Sequence, residues 1–385
     1  VSPIPDGVVA SRDGRIVFAG PEAAFESSVR VNPGAVVLDA AQGTVIPGFV
    51  DPHTHAIHAG DRREELRRRL AGATYAEIAA SGGGILSTVR ATREATEDAL
   101  VESGRRRLGE MLRCGTTTAE AKSGYGLQTA TELKMLRAIR RLNAEQPIDL
   151  VATFLGAHEI PVEYRERRQA YIDLLTEEMI PAVAAGRLAE WCDVFCETGV
   201  YTPVESRAIL EAGVRSGLRP RIHADELAPS GGSDVASQVG ARSADHLLFV
   251  TPGSAVRMAQ AGVVATLLPA AAFYLKIGRF APARMLIEHG VAVALATDLN
   301  PGGGFTPSMP FVMTLACFGM GMTLEEALVG ATINAAFSID RDTDVGSLEP
   351  GKMMDAVVVD GEAVDLIRVG APAIRHVVKK GRVVA

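Results

Sequence analysis

Four cysteines in 385 residues, Cys114, Cys192, Cys196 and Cys317, are too few for a disulfide framework. A reducing compartment, the cytoplasm, is therefore the expected home. Cys192 and Cys196 lie four apart in WCDVFCE, an apolar β-like context that predicts buried small hydrophobes rather than thiolate ligands. Long apolar runs are also missing, and none approaches the roughly 20 residues a membrane helix needs. The opening VSPIPDGVVASRDGR has no basic segment followed by an apolar one, so no signal peptide and no membrane association are expected. Nor is there an excess of basic charge. The formal net charge of -7 argues against a non-specific nucleic-acid surface. No fixed repeat or low-complexity tract appears. What remains is 47% hydrophobic and 22% charged, the composition of a soluble globular chain long enough for one large core and a small satellite.

Residues 1–45 read as short strands with turns. GVVAS and RIVFAG flank an Arg12-Asp13-Gly14 turn, a hairpin signal, and VVLDA (36–40) reads as a third strand. The C-terminal MDAVVVDG, AIRHVVKKG and RVVA share this texture, which predicts a small β-sandwich domain assembled from both termini, 1–45 and 346–385. Between them, 46–345 alternates β-like runs with amphipathic segments whose apolar residues recur at three and four. The eight runs fall at 49–55, 115–126, 148–158, 191–199, 219–226, 241–248, 263–269 and 291–302. Eight strands alternating with helices over about 250 residues match a (β/α)8 TIM barrel, which an open doubly wound sheet rarely needs.

Barrel enzymes place their chemistry where strands end, and seven of these runs finish in polar or ionisable groups. The first ends in PGFVDPHTH. Residues two apart on an extended strand face one side, so His53 and His55 can present nitrogens to one point. Joined by His223 from the fifth run and Asp298 from the eighth, they form a three-histidine, one-aspartate set suited to zinc or non-haem iron. Such a metal would acidify a bound water, giving hydroxide as nucleophile, with Asp298 taking its proton. Glu226, three residues past His223, is the general acid/base candidate, and His246 and His158 could polarise a carbonyl or steady the attacking water. Arg62 is the first arginine of the basic run to lie close to the first strand end. Its guanidinium suits a small substrate bearing a carboxylate, and Tyr75 and Tyr125 could add hydroxyls. Gly82, Gly83 and Gly84 lack the following Lys-Ser/Thr of a phosphate loop.

PGFVDPHTH, together with GGGILSTV, GTTTAEAKSGYG, DLVATFLGAHEIP, ETGVY, IHADE, SADHL, LLPAAAFYL and ATDLNPG, resembles the amidohydrolase superfamily and, within it, the imidazolonepropionase family. The resemblance covers almost the whole chain. It implies opening of the cyclic amide of 4-imidazolone-5-propanoate to N-formimidoyl-L-glutamate in histidine catabolism, one Zn2+ or Fe3+ per subunit, and a homodimer. Ligands would fall on His53, His55, His223 and Asp298, and substrate contacts on Arg62, Tyr75, Tyr125, His158 and Glu226. Asn300, Pro301 and Gly302 match a product-contacting turn. Relatives often carry Ser or Thr at the next position, where this chain has Gly303, leaving only a backbone N–H there. Two-metal relatives use a lysine on the fourth strand; WCDVFCE has none, which favours one metal. The alternatives are an aminohydrolase acting on a nucleobase-like ring and a catalytically inactive scaffold relative. Arg62 and Tyr125 argue against the first, and four retained ligands against the second.

Overall fold

A computed structural model describes residues 3–73, 77 and 82–385. Among them, eight parallel strands form the central sheet: β1 (Phe49–Asp51), β2 (Thr116–Lys122), β3 (Asp149–Ala157), β4 (Trp191–Cys196), β5 (Ile222–Ala224), β6 (Ser243–His246), β7 (Val264–Leu267) and β8 (Val293–Leu295). They pair in that order, with a two-residue strand, Arg219–Pro220, also on β4. The sheet curls into a nearly closed (β/α)8 barrel. Its seam between β1 and β8 is joined beyond the strands themselves, by a parallel bridge between Thr54 and Leu299 and by bonds from His55 N to Leu299 O and Asp298 N to His53 O. Asp51 adds two more, accepting the N–H and hydroxyl of Thr297 at 3.1 and 2.5 Å. Barrel closure and the metal-ligand candidates thus share the same residues.

Alternation along the strands sorts the chain into layers. In β2 the whole run is buried; Ala119 and Ala121 join the outer core against the helices, leaving Thr118, Glu120 and Lys122 to the barrel interior. β4 behaves alike, with Cys192, Val194 and Cys196 in the outer core and Trp191, Asp193 and Phe195 on the other face. Val50, Val151, Trp191, Val264 and Ala294 plug the interior near the strand starts, packed on Ala335, Ala336 and Ile339 of the helix Ile333–Ser338 and the turn after it. Outside, Glu97–Arg113 buries Leu100, Val101, Gly104, Leu108, Met111 and Leu112 at helical spacing. The helix Pro203–Arg215 opens on a reciprocal Thr202–Glu205 cap. No helix among the described residues is long and apolar enough to cross a membrane.

The termini meet in a four-stranded antiparallel sheet ordered Arg382–Val383, Ile374–Lys379, Ala356–Val359, Thr44–Pro47. The division expected after residue 45 falls inside the last of these strands. The hairpin Gly7–Arg12/Arg15–Pro21 forms a separate two-stranded sheet turning on Asp13 and Gly14, both at positive φ (52° and 78°), and bonded through Ile16 to Lys352 and Gly351. VVLDA is not a strand. Val36 and Val37 are 93% and 83% exposed, and β-branched residues make a strand only where a neighbouring chain supplies ladder partners.

Candidate active site

His53 and His55 flank Thr54, whose N–H donates to Glu120 Oε2 at 3.1 Å and whose hydroxyl donates to Glu120 O at 2.7 Å. This pins the intervening residue and aims both imidazoles inward. Asp298 Oδ1 lies 3.6 Å from His53 Nε2 and 3.5 Å from His55 Nε2, and His223 Nε2 lies 3.4 Å from His55 Nε2. All four predicted ligands converge, and all are buried. Asp298 holds a φ of 52° and His246 one of 78°. Strain of this kind in non-glycine residues concentrates at functional sites. For His246 it also explains access: Ser243 and Asp245 face inward by alternation, and only a left-handed turn brings the next residue to the same mouth.

Two of the three ligand histidines have their other ring nitrogen engaged. His53 Nδ1 donates to Asp245 Oδ2 at 2.6 Å, and His223 Nδ1 donates to Asp193 Oδ1 at 3.1 Å. With the protons of His53 and His223 on Nδ1, their Nε2 lone pairs are left to the centre. Burial, then the charges of Lys122 and the neighbouring imidazoles, hold His53 well below the ordinary histidine range; burial and His158 do the same for His55. Neutral imidazole lone pairs and a carboxylate oxygen facing one another at these distances are mutually repulsive unless a cation joins them. His53 Nε2 and Asp298 Oδ1 also have no hydrogen-bond partner in the protein. The residues therefore fit a transition-metal ion. Donor atoms of His53, His55 and Asp298 lie within 4.8 Å of one another, as do those of His53, His223 and His246, so His246 stands beside the same point.

A buried charge cluster lies beneath, and the sequence reading missed it. Lys122 Nζ donates to Glu120 Oε1 and Asp193 Oδ2, both at 2.8 Å, with all three side chains fully buried. Arg221 donates to Asp245 Oδ2 at 3.2 Å and to Pro52 O at 2.8 Å. Burial alone would raise the Asp193 carboxyl, but His223 and Lys122 outweigh it and hold it well below the usual range. The available signal was charge inside the strand runs TTTAEAK, WCDVFC and SADH, where strands buried on both faces normally read as continuous apolar runs.

The other predicted residues line the approach. His158 stacks on His55 with ring centroids 4.9 Å apart and donates Nδ1–H to Gly124 O at 3.0 Å. Tyr125 lies 5.2 Å from His158, centroid to centroid. Glu226 is buried, and its carboxyl is pushed well above the usual range by burial, then by Asp298 and Glu197; His246 Nε2 is 3.7 Å from its Oε2. Glu197, unassigned from sequence, accepts the N–H groups of Thr198, Glu226 and Leu227 and so sets the backbone that carries Glu226. Arg62 is buried and donates Nε–H to Glu65 at 2.7 Å. Asn300 Oδ1 accepts the N–H groups of Gly302 and Gly303 at 2.8 and 2.6 Å. The Gly303 N–H that the sequence leaves for a ligand is thereby engaged within the turn. Tyr75 lies outside the described residues.

A parallel barrel with a buried histidine–aspartate group at its C-terminal rim defines a metal-dependent amidohydrolase, and residues 231–384 match the amidohydrolase family. The fold is shared with 5-methylcytosine deaminase from Klebsiella pneumoniae, at a TM-score of 0.77 and 16% identity over 98% of this chain and 94% of that one. Sequence relatives are nearer. Imidazolonepropionase of Symbiobacterium thermophilum is 51% identical over 99% of this chain and 90% of its own length, and that of Geobacillus kaustophilus is 52% identical over 92% and 84%. The chain belongs to the imidazolonepropionase family and is a hydrolase.

Proposed function

We propose that the protein opens the cyclic amide of 4-imidazolone-5-propanoate to N-formimidoyl-L-glutamate, a hydrolysis of histidine degradation. The observation that carries this reading is the convergence of His53, His55, His223 and Asp298 on one buried point in a chain about half identical to imidazolonepropionases along almost its full length. These four residues would hold a single ion, Zn2+ or Fe3+. When bound, it supplies Lewis acidity toward a carbonyl oxygen and lowers the pKa of water beside it.

The chain's own residues supply the rest. Arg62, with Tyr125 and Tyr75, holds the propanoate and so fixes the ring in the mouth. His158 is pushed down to about 3, chiefly by burial, and with Nδ1–H committed to Gly124 its Nε2 accepts. It suits a ring N–H of the substrate, not an oxyanion. Asp298, raised by burial to about 7, takes the proton of the attacking water on the carboxylate oxygen that does not face the histidines. Glu226, its carboxyl pushed up by burial, delivers a proton to the departing ring nitrogen, and the proton taken by Asp298 restores it. His246, kept neutral by burial, lies 3.7 Å from Glu226 Oε2 and orients that carboxyl. Asn300 shapes the turn of Gly302 and Gly303 that borders the substrate. Four free cysteines suit a reducing cytoplasm, and a homodimer is the assembly suggested by the family likeness.

The test is incubation of purified protein with freshly generated imidazolone propanoate, following loss of its ultraviolet absorbance, alongside metal analysis. His223→Ala should lose bound metal and turnover together. Stoichiometric metal in the parent protein with no loss of absorbance, or a folded H223A variant with full metal and turnover, would overturn the reading.

A further inference from the structure

Arg62 is held in an unusual way for a surface-derived arginine. It is 6% exposed, and its Nε–H, not its forked end, makes the ion pair with Glu65 Oε2. Among the described residues Nη1 and Nη2 make no hydrogen bond. The second oxygen of Glu65 accepts the N–H of Gly84 at 2.9 Å and the hydroxyl of Ser87 at 3.2 Å, so the carboxylate is fixed at both ends. The guanidinium lies flat against Gly302: a Cβ there would stand 2.1 Å from Nη1 and 2.3 Å from Cζ. That floor cannot easily retreat. Asn300 Oδ1 holds the Gly302 N–H, and Arg69 donates Nη1–H and Nη2–H to its carbonyl, each at 3.2 Å. The same turn starts at Asp298, whose carbonyl accepts from Asn300 Nδ2 at 2.7 Å.

We propose that Glu65 and Gly302 are positioning residues that fix Arg62 as a pre-set fork for a carboxylate, and thereby set the preference for an anionic over a neutral side chain on the substrate. The proposal rests on the assignment of Arg62 to the substrate propanoate made above. Glu65 fastens the Nε edge and leaves the Nη1/Nη2 edge for two parallel bonds to a planar anion. Gly302 supplies the surface on which the plane rests. Both oxygens of Glu65 receive donors, so glutamine cannot replace it: one end would meet an N–H with an NH2. Gly302 is not at positive φ, so alanine suits its backbone, and the three atoms nearest the new methyl group all belong to Arg62.

The test uses the metal-loaded full chain. Its readouts are KM and kcat for imidazolone propanoate, and the inhibition constants of 3-(imidazol-4-yl)propanoate and of its carboxamide. In the parent the acid should bind much better than the amide. Gly302→Ala and Glu65→Gln should each cut that acid-to-amide preference about tenfold, with KM rising more than kcat falls. Arg62→Ala should abolish the preference, and R62A/G302A should be no worse than R62A, because the two changes act through one group. If R62A loses the preference while folded G302A keeps it within about twofold, the positioning role is wrong, whatever E65Q does. If R62A itself keeps the preference, the assignment of Arg62 to the substrate fails first, and the inference with it.

Discussion

Lys122→Met tests whether the cluster beneath the ligands holds the site or merely fills the barrel. The substitution keeps most of the volume and removes one fully buried ammonium that lies 2.8 Å from each of two buried carboxylates. At an effective dielectric of about 20, each contact is worth roughly 6 kcal/mol before desolvation. Desolvation of the ammonium offsets most of that, and removing one partner of a buried pair costs about 3–5 kcal/mol, a large share of the total stability of roughly 5–15 kcal/mol. Asp193 titrates far below its unfolded value of 3.8, so its contribution is present above that value and is lost as pH falls through the folded pKa. K122M should therefore be destabilised most near neutral pH, and the gap from the parent should shrink in strong acid. A second effect follows at the metal. Without Lys122 only His223 opposes burial at Asp193, so the carboxyl shifts toward protonation and its hold on the His223 Nδ1 proton weakens. Metal affinity should then fall about 10–100-fold. Urea denaturation of metal-free protein at several pH values and chelator competition on loaded protein read the two effects. A K122M variant within about 1 kcal/mol of the parent and with unchanged metal affinity would refute the reasoning.

Two further outcomes are expected. His58 is pushed down to about 3 by burial, then by Arg107, so the unfolded chain takes up its proton first as pH falls below 6.5; the parent should lose stability relative to His58→Asn between pH 6.5 and about 3. Denaturation midpoints at pH 7.5, 5.5 and about 4 check this, and a gap in favour of the parent that widens in acid would contradict it. In Gly304→Ala, the new Cβ would stand 1.7 Å from Asp298 O, so the turn must move and carry Asp298 with it. The variant should keep its circular dichroism but lose metal and turnover, and full metal occupancy would count against the tight turn.

Particular segments show where sequence reading worked. The hairpin around Asp13-Gly14 and the long amphipathic helices are written in local pattern, because turn chemistry and helical periodicity act over a few residues. VVLDA failed for the opposite reason: its β-branched run is local, but a strand needs a neighbour that the fold does not supply. Glu197 and Lys122 went unassigned because their worth lies in what they touch, backbone amides of the loop after β5 and a carboxylate on β4.

Local pattern alone carries the alternation of eight strands with helices, and which side chains stand at strand ends. From that followed the ligand candidates His53, His55, His223 and Asp298. How those ends are used emerges only on folding: Asp245 and Asp193 hold the tautomers of His53 and His223, His246 turns into the mouth through a left-handed backbone, and Glu65 and Gly302 frame Arg62. The physical reason is range. Periodicity and strand-end chemistry are properties of neighbours along the chain, whereas tautomer, orientation and charge state are set by groups that meet only when β1 and β8 close the barrel.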